Sequence, residues 1–147
     1  MKIIEITENK KKHLDLLLLA DEQEDMIDRY LDKGIMYVLD DNGVKSECVV
    51  TAEGNGILEI KNIATIPEHQ GKGYAKTLID FLVKEYSGKY SVLQVGTGDS
   101  PLTVPFYEKC GFVRTHSIPN FFTDNYDHPI YECGVRLKDM IYLQRKL

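Results

Sequence analysis

The sequence predicts an α/β domain built on a mixed sheet flanked by helices, and three patterns carry that expectation. Residues 73–87 place Ala75, Leu78, Ile79, Leu82, Val83 and Tyr86 at helical spacing. Strand-like runs flank this helix, Ile57–Ile66 before it and Tyr90–Val95 after it, so the centre of the chain is a strand, helix, strand unit. Ile35–Leu39 and Val44–Thr51 surround Asp41, Asn42 and Gly43, residue types that reverse a chain between antiparallel strands.

The remaining elements follow in order. Ile3–Ile6 is short and β-branched and reads as an opening strand, after which Asn9 is placed to cap a helix over Lys10–Ala20. Leu14, Leu17 and Leu18 give that helix one apolar face; Met26, Ile27, Tyr30 and Leu31 give a second helix another, ended by Gly34. Glu53–Gly56 marks a turn, and Pro67 closes the long strand. Pro101–Cys110 reads as a short helix stopped by Gly111; it starts near Thr103 so that Pro105 falls in the first turn, where its missing N–H costs little. Phe112–His116 and Gly134–Leu147 complete the strands, and Phe121–His128 is either a lid or a surface loop anchored by Phe121 and Phe122.

Composition narrows the classes of function. The chain has 147 residues, 43% of them apolar, enough for one core, and no linker or repeat divides it, so 1–147 is expected to be one domain. The longest apolar run is Leu16–Ala20, far below the roughly 20 residues of a membrane span, and the start has no signal-peptide apolar region. A soluble cytoplasmic protein without a membrane partner is expected. A net charge of −5 and a pI near 5.4 argue against nucleic acid as a partner. Cys48, Cys110 and Cys133 are odd in number and widely spaced, so they read as reduced thiols, with no metal site.

The chemistry is concentrated at Gln70, Gly71, Lys72, Gly73, Tyr74, Ala75 and Lys76, between the long strand and the amphipathic helix. Unpaired N–H groups and the positive helix end face an anion there, and two glycines let the backbone approach it. A plain turn before a helix has the same appearance, so the motif alone leaves both readings open. A P-loop would need Ser or Thr after Gly71 and Lys72, where Gly73 stands; a dinucleotide loop would want glycine at position 76, where Lys76 stands.

Gln70, two residues, Gly73, one residue and Ala75 resemble the pyrophosphate-binding signature of the GNAT superfamily of N-acetyltransferases. Ile63–Pro67 resembles the end of the family's strand before that loop, and Phe106–Phe112 its late helix and following strand. The resemblance implies the GNAT-type acyl-CoA acyltransferase fold, with splayed parallel strands at a cofactor cleft. It implies acetyl-coenzyme A (acetyl-CoA) as cosubstrate and a primary amine of a small molecule or peptide as acceptor. Pantetheine would pair with the backbone of Ile63, Ala64 and Thr65, residues 70–76 would hold the pyrophosphate, and Gln70 would cap the helix. Tyr107 aligns with the family tyrosine that serves the departing sulfur as general acid. Ser100 stands seven residues earlier, where many members have a cofactor-binding asparagine.

Glu59 matches the place where the histone-modifying branch carries its base, and a regular strand would put Glu59, Lys61, Ile63 and Thr65 on one face. His116 and His128 are alternative bases. Cys110 reads as a packing thiol, which favours direct attack of the amine on the thioester. Asp21, Glu22, Glu24, Asp25 and Asp28 could attract a cationic amine, but an exposed acidic helix face explains them as well and is the preferred reading. A CoA-binding or sensing module of the same fold with little turnover is the alternative function, and a different nucleotide-binding α/β protein the third. A monomer or homodimer is expected.

Overall fold

In the computed structural model, which describes residues 1–147, Lys2–Ile6 (β1) pairs antiparallel with Ile35–Asp40 (β2). β2 pairs with Val44–Gly54 (β3), and β3 with Ile57–Thr65 (β4), both antiparallel. β4 runs parallel to Val92–Gly98 (β5) through the helix Tyr74–Tyr86 (α3), the predicted strand, helix, strand unit. The sheet ends with Met140–Lys146 (β9) beside β5 and Val113–Ile118 (β6) at the edge, giving the order β1-β2-β3-β4-β5-β9-β6. The expected mixed sheet is therefore present, with one parallel pair at its centre.

Each face of the sheet buries its own apolar cluster. On one side Leu78, Ile79 and Leu82 of α3 pack on Cys48, Val50, Leu58, Ile60, Leu93 and Val95. On the other, Leu17 of the helix Leu14–Ala20 (α1) and Ile27 of the helix Glu24–Asp28 (α2) pack on Met36, Val38 and Val49, joined by Tyr30 and Leu31. Burial of each large side chain contributes about 1.5–3 kcal/mol, which is why the leucine spacing made these helices predictable. No helix is long and apolar enough to cross a membrane.

Several local expectations are corrected. Asn9 makes no side-chain cap: it sits at φ 53°, and Lys10–His13 winds as a 3-10 turn before α1 begins. The second helix is only Glu24–Asp28, and turns carry the chain on to Gly34, held by Lys10 Nζ donating to the carbonyls of Leu31 (2.9 Å) and Gly34 (2.6 Å). The short helix Val104–Lys109 (α4) has Thr103 at its N-cap position and a proline in its first turn, as expected. Phe121–Asn125 is a helical turn (α5) rather than loop, because Phe122 buries against Ile130 and Leu137. The tail is interrupted: Tyr131–Glu132 (β7) and Val135–Arg136 (β8) form a separate hairpin before β9 starts.

Two irregularities in β4 shape the centre of the molecule. Val49 pairs with Asn62 but Val50 with Ile60, so Lys61 is an extra residue, a β-bulge. The bulge switches the alternation: Leu58 and Ile60 face the α3 side, and beyond it Ile63 does. The expected common face of Glu59, Lys61, Ile63 and Thr65 is thus broken at Lys61. Parallel pairing with β5 also stops at Ile60 opposite Val95, after which β5 continues only with β9. The last residues of β4 therefore have no strand on their β5 side.

Candidate active site

A cavity of about 800 Å³ opens where β4 and β5 part. Its floor is the free edge of β4, its walls are the start of α3, the inner side of α4 and the segment from α5 through β9, and its far end is the α1–α2 corner.

The start of α3 is built to receive an anion. None of the main-chain N–H groups from Gly71 to Lys76 donates to a protein acceptor; the first bond back into the loop is Thr77 N to Gly73 O at 3.0 Å. Gly71 (φ 79°) and Gly73 (φ 86°) adopt the left-handed conformation that lets successive amides converge, and a Cβ at either would project into open space. These observations fit a diphosphate at the end of a thirteen-residue helix. Gln70 does not cap that helix: its Nε2 donates to the Thr65 carbonyl at 3.2 Å, tying the loop to the strand end and engaging one of the backbone acceptors expected for pantetheine.

Most residues singled out in the sequence line this one cavity: Glu59, Ile63, Ala64, Thr65, Gln70, Gly71, Gly73, Tyr74, Ala75, Lys76 and Tyr107. Lys72 and Ser100 do not. The Lys72 ammonium turns to His69 Nδ1 (3.1 Å), and Ser100 is buried with its Oγ accepting from the Leu102 amide (3.0 Å), so it caps a turn instead of facing the cavity. Thr97 and Thr103, hydrogen-bonded to each other at 2.8 Å, line the wall there.

Tyr107 stands on α4, wedged edge-on between Phe106 and Phe112, with its residue 6% exposed. Burial, reinforced by the charge of Glu132, pushes its phenol well above the ordinary tyrosine range. The hydroxyl therefore keeps its proton at physiological pH and enters any reaction as a donor.

Glu59 is buried on the opposite side of the cleft. Lys61 Nζ lies 2.8 Å from its Oε2, and Gln94 Nε2 donates to its Oε1 at 2.6 Å. Gln144 Nε2 in turn donates to Gln94 Oε1 at 2.6 Å, which fixes the amide's orientation. Each carboxylate oxygen thus has one donor and keeps a further acceptor site. His116 stacks on Tyr142 at 4.6 Å, and His128 bonds to Asp127 and Glu22; neither lines the cavity. Cys110 packs in the α3-side core, as expected.

An apolar cleft that joins an unpaired strand edge, a helix-end anion cradle and a phenol donor is suited to a long thioester carrier. An acetyltransferase (GNAT) domain model matches residues 32–114, more than half of the chain. The chain belongs to the GNAT acetyltransferase family. An N-acetyltransferase of Bacillus subtilis (strain 168), YvbK, described as uncharacterized, is 35% identical over 145 residues, covering 95% of this chain and 93% of its own. A GNAT acetyltransferase from Elizabethkingia anophelis, solved with acetyl-CoA bound, has a TM-score of 0.92 at 36% identity, covering 99% of this chain and 97% of its own. A Bacillus subtilis acetyltransferase in complex with CoA has a TM-score of 0.89 at 32% identity, covering 99% and 98%. The fold of this GNAT member is thus the one its loop motif implied.

At the acceptor end of the cavity the preferred reading of Asp21 is corrected. Asp21 belongs to its wall instead of an exposed face, whereas Glu24, Asp25 and Asp28 are exposed as expected. Tyr126 lines it from the expected Phe121–His128 loop, and Glu132 and Tyr142 line it from a segment that carries no local motif.

Proposed function

We propose that this GNAT enzyme moves an acetyl group from acetyl-CoA to a primary amine of a small molecule or peptide, by direct attack of the amine on the thioester. The observation that carries the reading is the continuity of one cavity from the unpaired amides of Gly71–Lys76, past the free edge of Ile63–Thr65, to the Tyr107 hydroxyl. The amides receive the pyrophosphate, and the β4 edge receives the pantetheine as an added strand would be received. That binding is main-chain chemistry, so it tolerates varied side chains but not bulk at Gly71 or Gly73.

The acceptor nitrogen attacks the thioester carbonyl, and the C–S bond breaks as the C–N bond forms. Tyr107 donates its O–H to the departing sulfur and so stabilises the leaving thiolate. The amine proton passes to Glu59 through a water in the cleft. Cys110, packed in the core, takes no part.

Release of thiol from acetyl-CoA with a panel of polyamines, aminoglycosides, amino acids and N-terminal peptides tests the reading. Amine-dependent release, with acetylated amine recovered, is the expected result. Cofactor affinity without turnover on any amine would instead make the protein a CoA-binding module.

A further inference from the structure

The α1–α2 corner of the cavity holds a carboxylate that no cation pairs with. Asp21 is half-buried, and its two oxygens accept from phenols: Tyr30 at 2.9 Å and Tyr126 at 2.7 Å. No lysine, arginine or histidine lies within salt-bridge distance of it, whereas its neighbour Glu22 pairs with His128 at 2.9 Å. Arg29, the cation whose field reaches it, turns its guanidinium to Asn125 Oδ1 at 3.2 Å. Desolvation outweighs both phenols in opposing the carboxylate's charge. The Gln23 main-chain amide adds a further neutral donor, and since a carboxylate offers roughly four acceptor sites, these donors leave room for another and supply no countercharge.

The surroundings also favour a cation. Asn62 lines the same cavity, 3% exposed; its Nδ2 donates to the Leu17 carbonyl (3.0 Å) and the Tyr30 hydroxyl (3.1 Å), while its Oδ1 has no donor at all. The Tyr126 ring stacks on Phe122 at 5.7 Å, and both rings line the cavity, presenting aromatic surface that attracts onium groups. A partly buried carboxylate without a countercharge, beside aromatic residues of the same cavity, matches a protonated nitrogen and its N–H donors. A nitrogen held there in its protonated form is not the one that reacts, because attack on the thioester needs a neutral amine.

We propose that Asp21 is a specificity-determining residue that selects acceptors carrying a second protonated nitrogen, apart from the nitrogen that is acetylated. The proposal rests on the acetyl-transfer reading for its meaning but not for its test. Diaminoalkanes from 1,3-diaminopropane to 1,6-diaminohexane, and 1-aminoalkanes of matching length, are titrated by calorimetry into the CoA-saturated protein. At least one diamine should bind about tenfold or more tighter than its monoamine, with added salt narrowing the difference. Asp21→Asn, checked for an unaltered melting profile, should bring the pair to near equality. Tyr126→Phe, which keeps the charge and the ring, should retain the preference. Equal affinities for every pair in the wild-type protein, no binding of any diamine, or a preference that survives Asp21→Asn would overturn the assignment. Thiol release on the same amines is read separately: selective binding without turnover would sink the acetyl-transfer reading and leave the cation site standing.

Discussion

At the scale of single residues, the account assigns different work to the two sides of the cleft. Tyr107 is held as the neutral phenol by burial and by the charge of Glu132, so removing its hydroxyl removes a donor without disturbing the packing of its ring against Phe106 and Phe112. Tyr107→Phe should lower kcat by roughly 10²-fold, the scale of one positioned acid, while CoA affinity measured by calorimetry stays within about twofold. Glu59 is tied to Lys61 and Gln94. If it takes the amine proton, Glu59→Gln lowers kcat/KM in steady-state assays; an unaltered kcat/KM would transfer that role to solvent. Gly73, at φ 86° with open space beyond its missing Cβ, should tolerate valine as a fold but not as a cradle. Gly73→Val is expected to weaken CoA binding at least about tenfold, with a backbone penalty of about 1–2 kcal/mol visible as a lower Tm.

Elements explain why some of this was legible in the sequence and some was not. α3 and the β2–β3 hairpin are written in local patterns, apolar spacing along residues 73–87 and the Asp41, Asn42, Gly43 reversal, and such patterns survive in any tertiary setting. The bulge at Lys61 leaves no mark, because Glu59, Lys61 and Ile63 alternate as a regular strand would; only the pairing with β3 reveals the extra residue. Ser100 was aligned by spacing, yet the turn before α4 uses its hydroxyl internally. The segment after α5 is bound to the α1–α2 corner by contacts across a hundred residues of chain: Tyr126 to Asp21, the Asp127 amide to Gln23 Oε1 at 3.1 Å, and His128 to Glu22. No local signal encodes such a strap. Its pH response follows from His128, whose imidazolium is favoured first by Asp127 and then by Glu22, raising it from the ordinary 6.5. The charged form is thus stabilised in the folded strap, fully below pH 6.5, and that contribution is lost as pH rises through the higher folded value. Hydrogen exchange of residues 121–128 should therefore quicken, beyond its intrinsic pH dependence, as pH rises through this range, and His128→Gln should abolish the excess.

For the molecule as a whole, the division of labour follows the sheet. One face carries α3 and the larger core, the other carries α1 and α2, and the parting of β4 from β5 opens a passage between them. The cofactor end of that passage is main chain held by regular elements, which is why a short glycine motif was enough to recognise it. The acceptor end is assembled from the α1–α2 corner and the strap, segments distant in sequence and free to vary, so its chemistry emerged only from the folded arrangement. A ligand that spans the passage should stabilise the fold by mass action, about 2.7 kcal/mol at a hundred times its Kd. The most direct test of the central claim is titration of CoA into isotopically labelled protein while backbone amide resonances are followed. The amides of Gly71–Lys76 and of Lys61–Thr65 should shift together along one binding curve. A curve that moves neither segment, or perturbations confined to another surface, would contradict it.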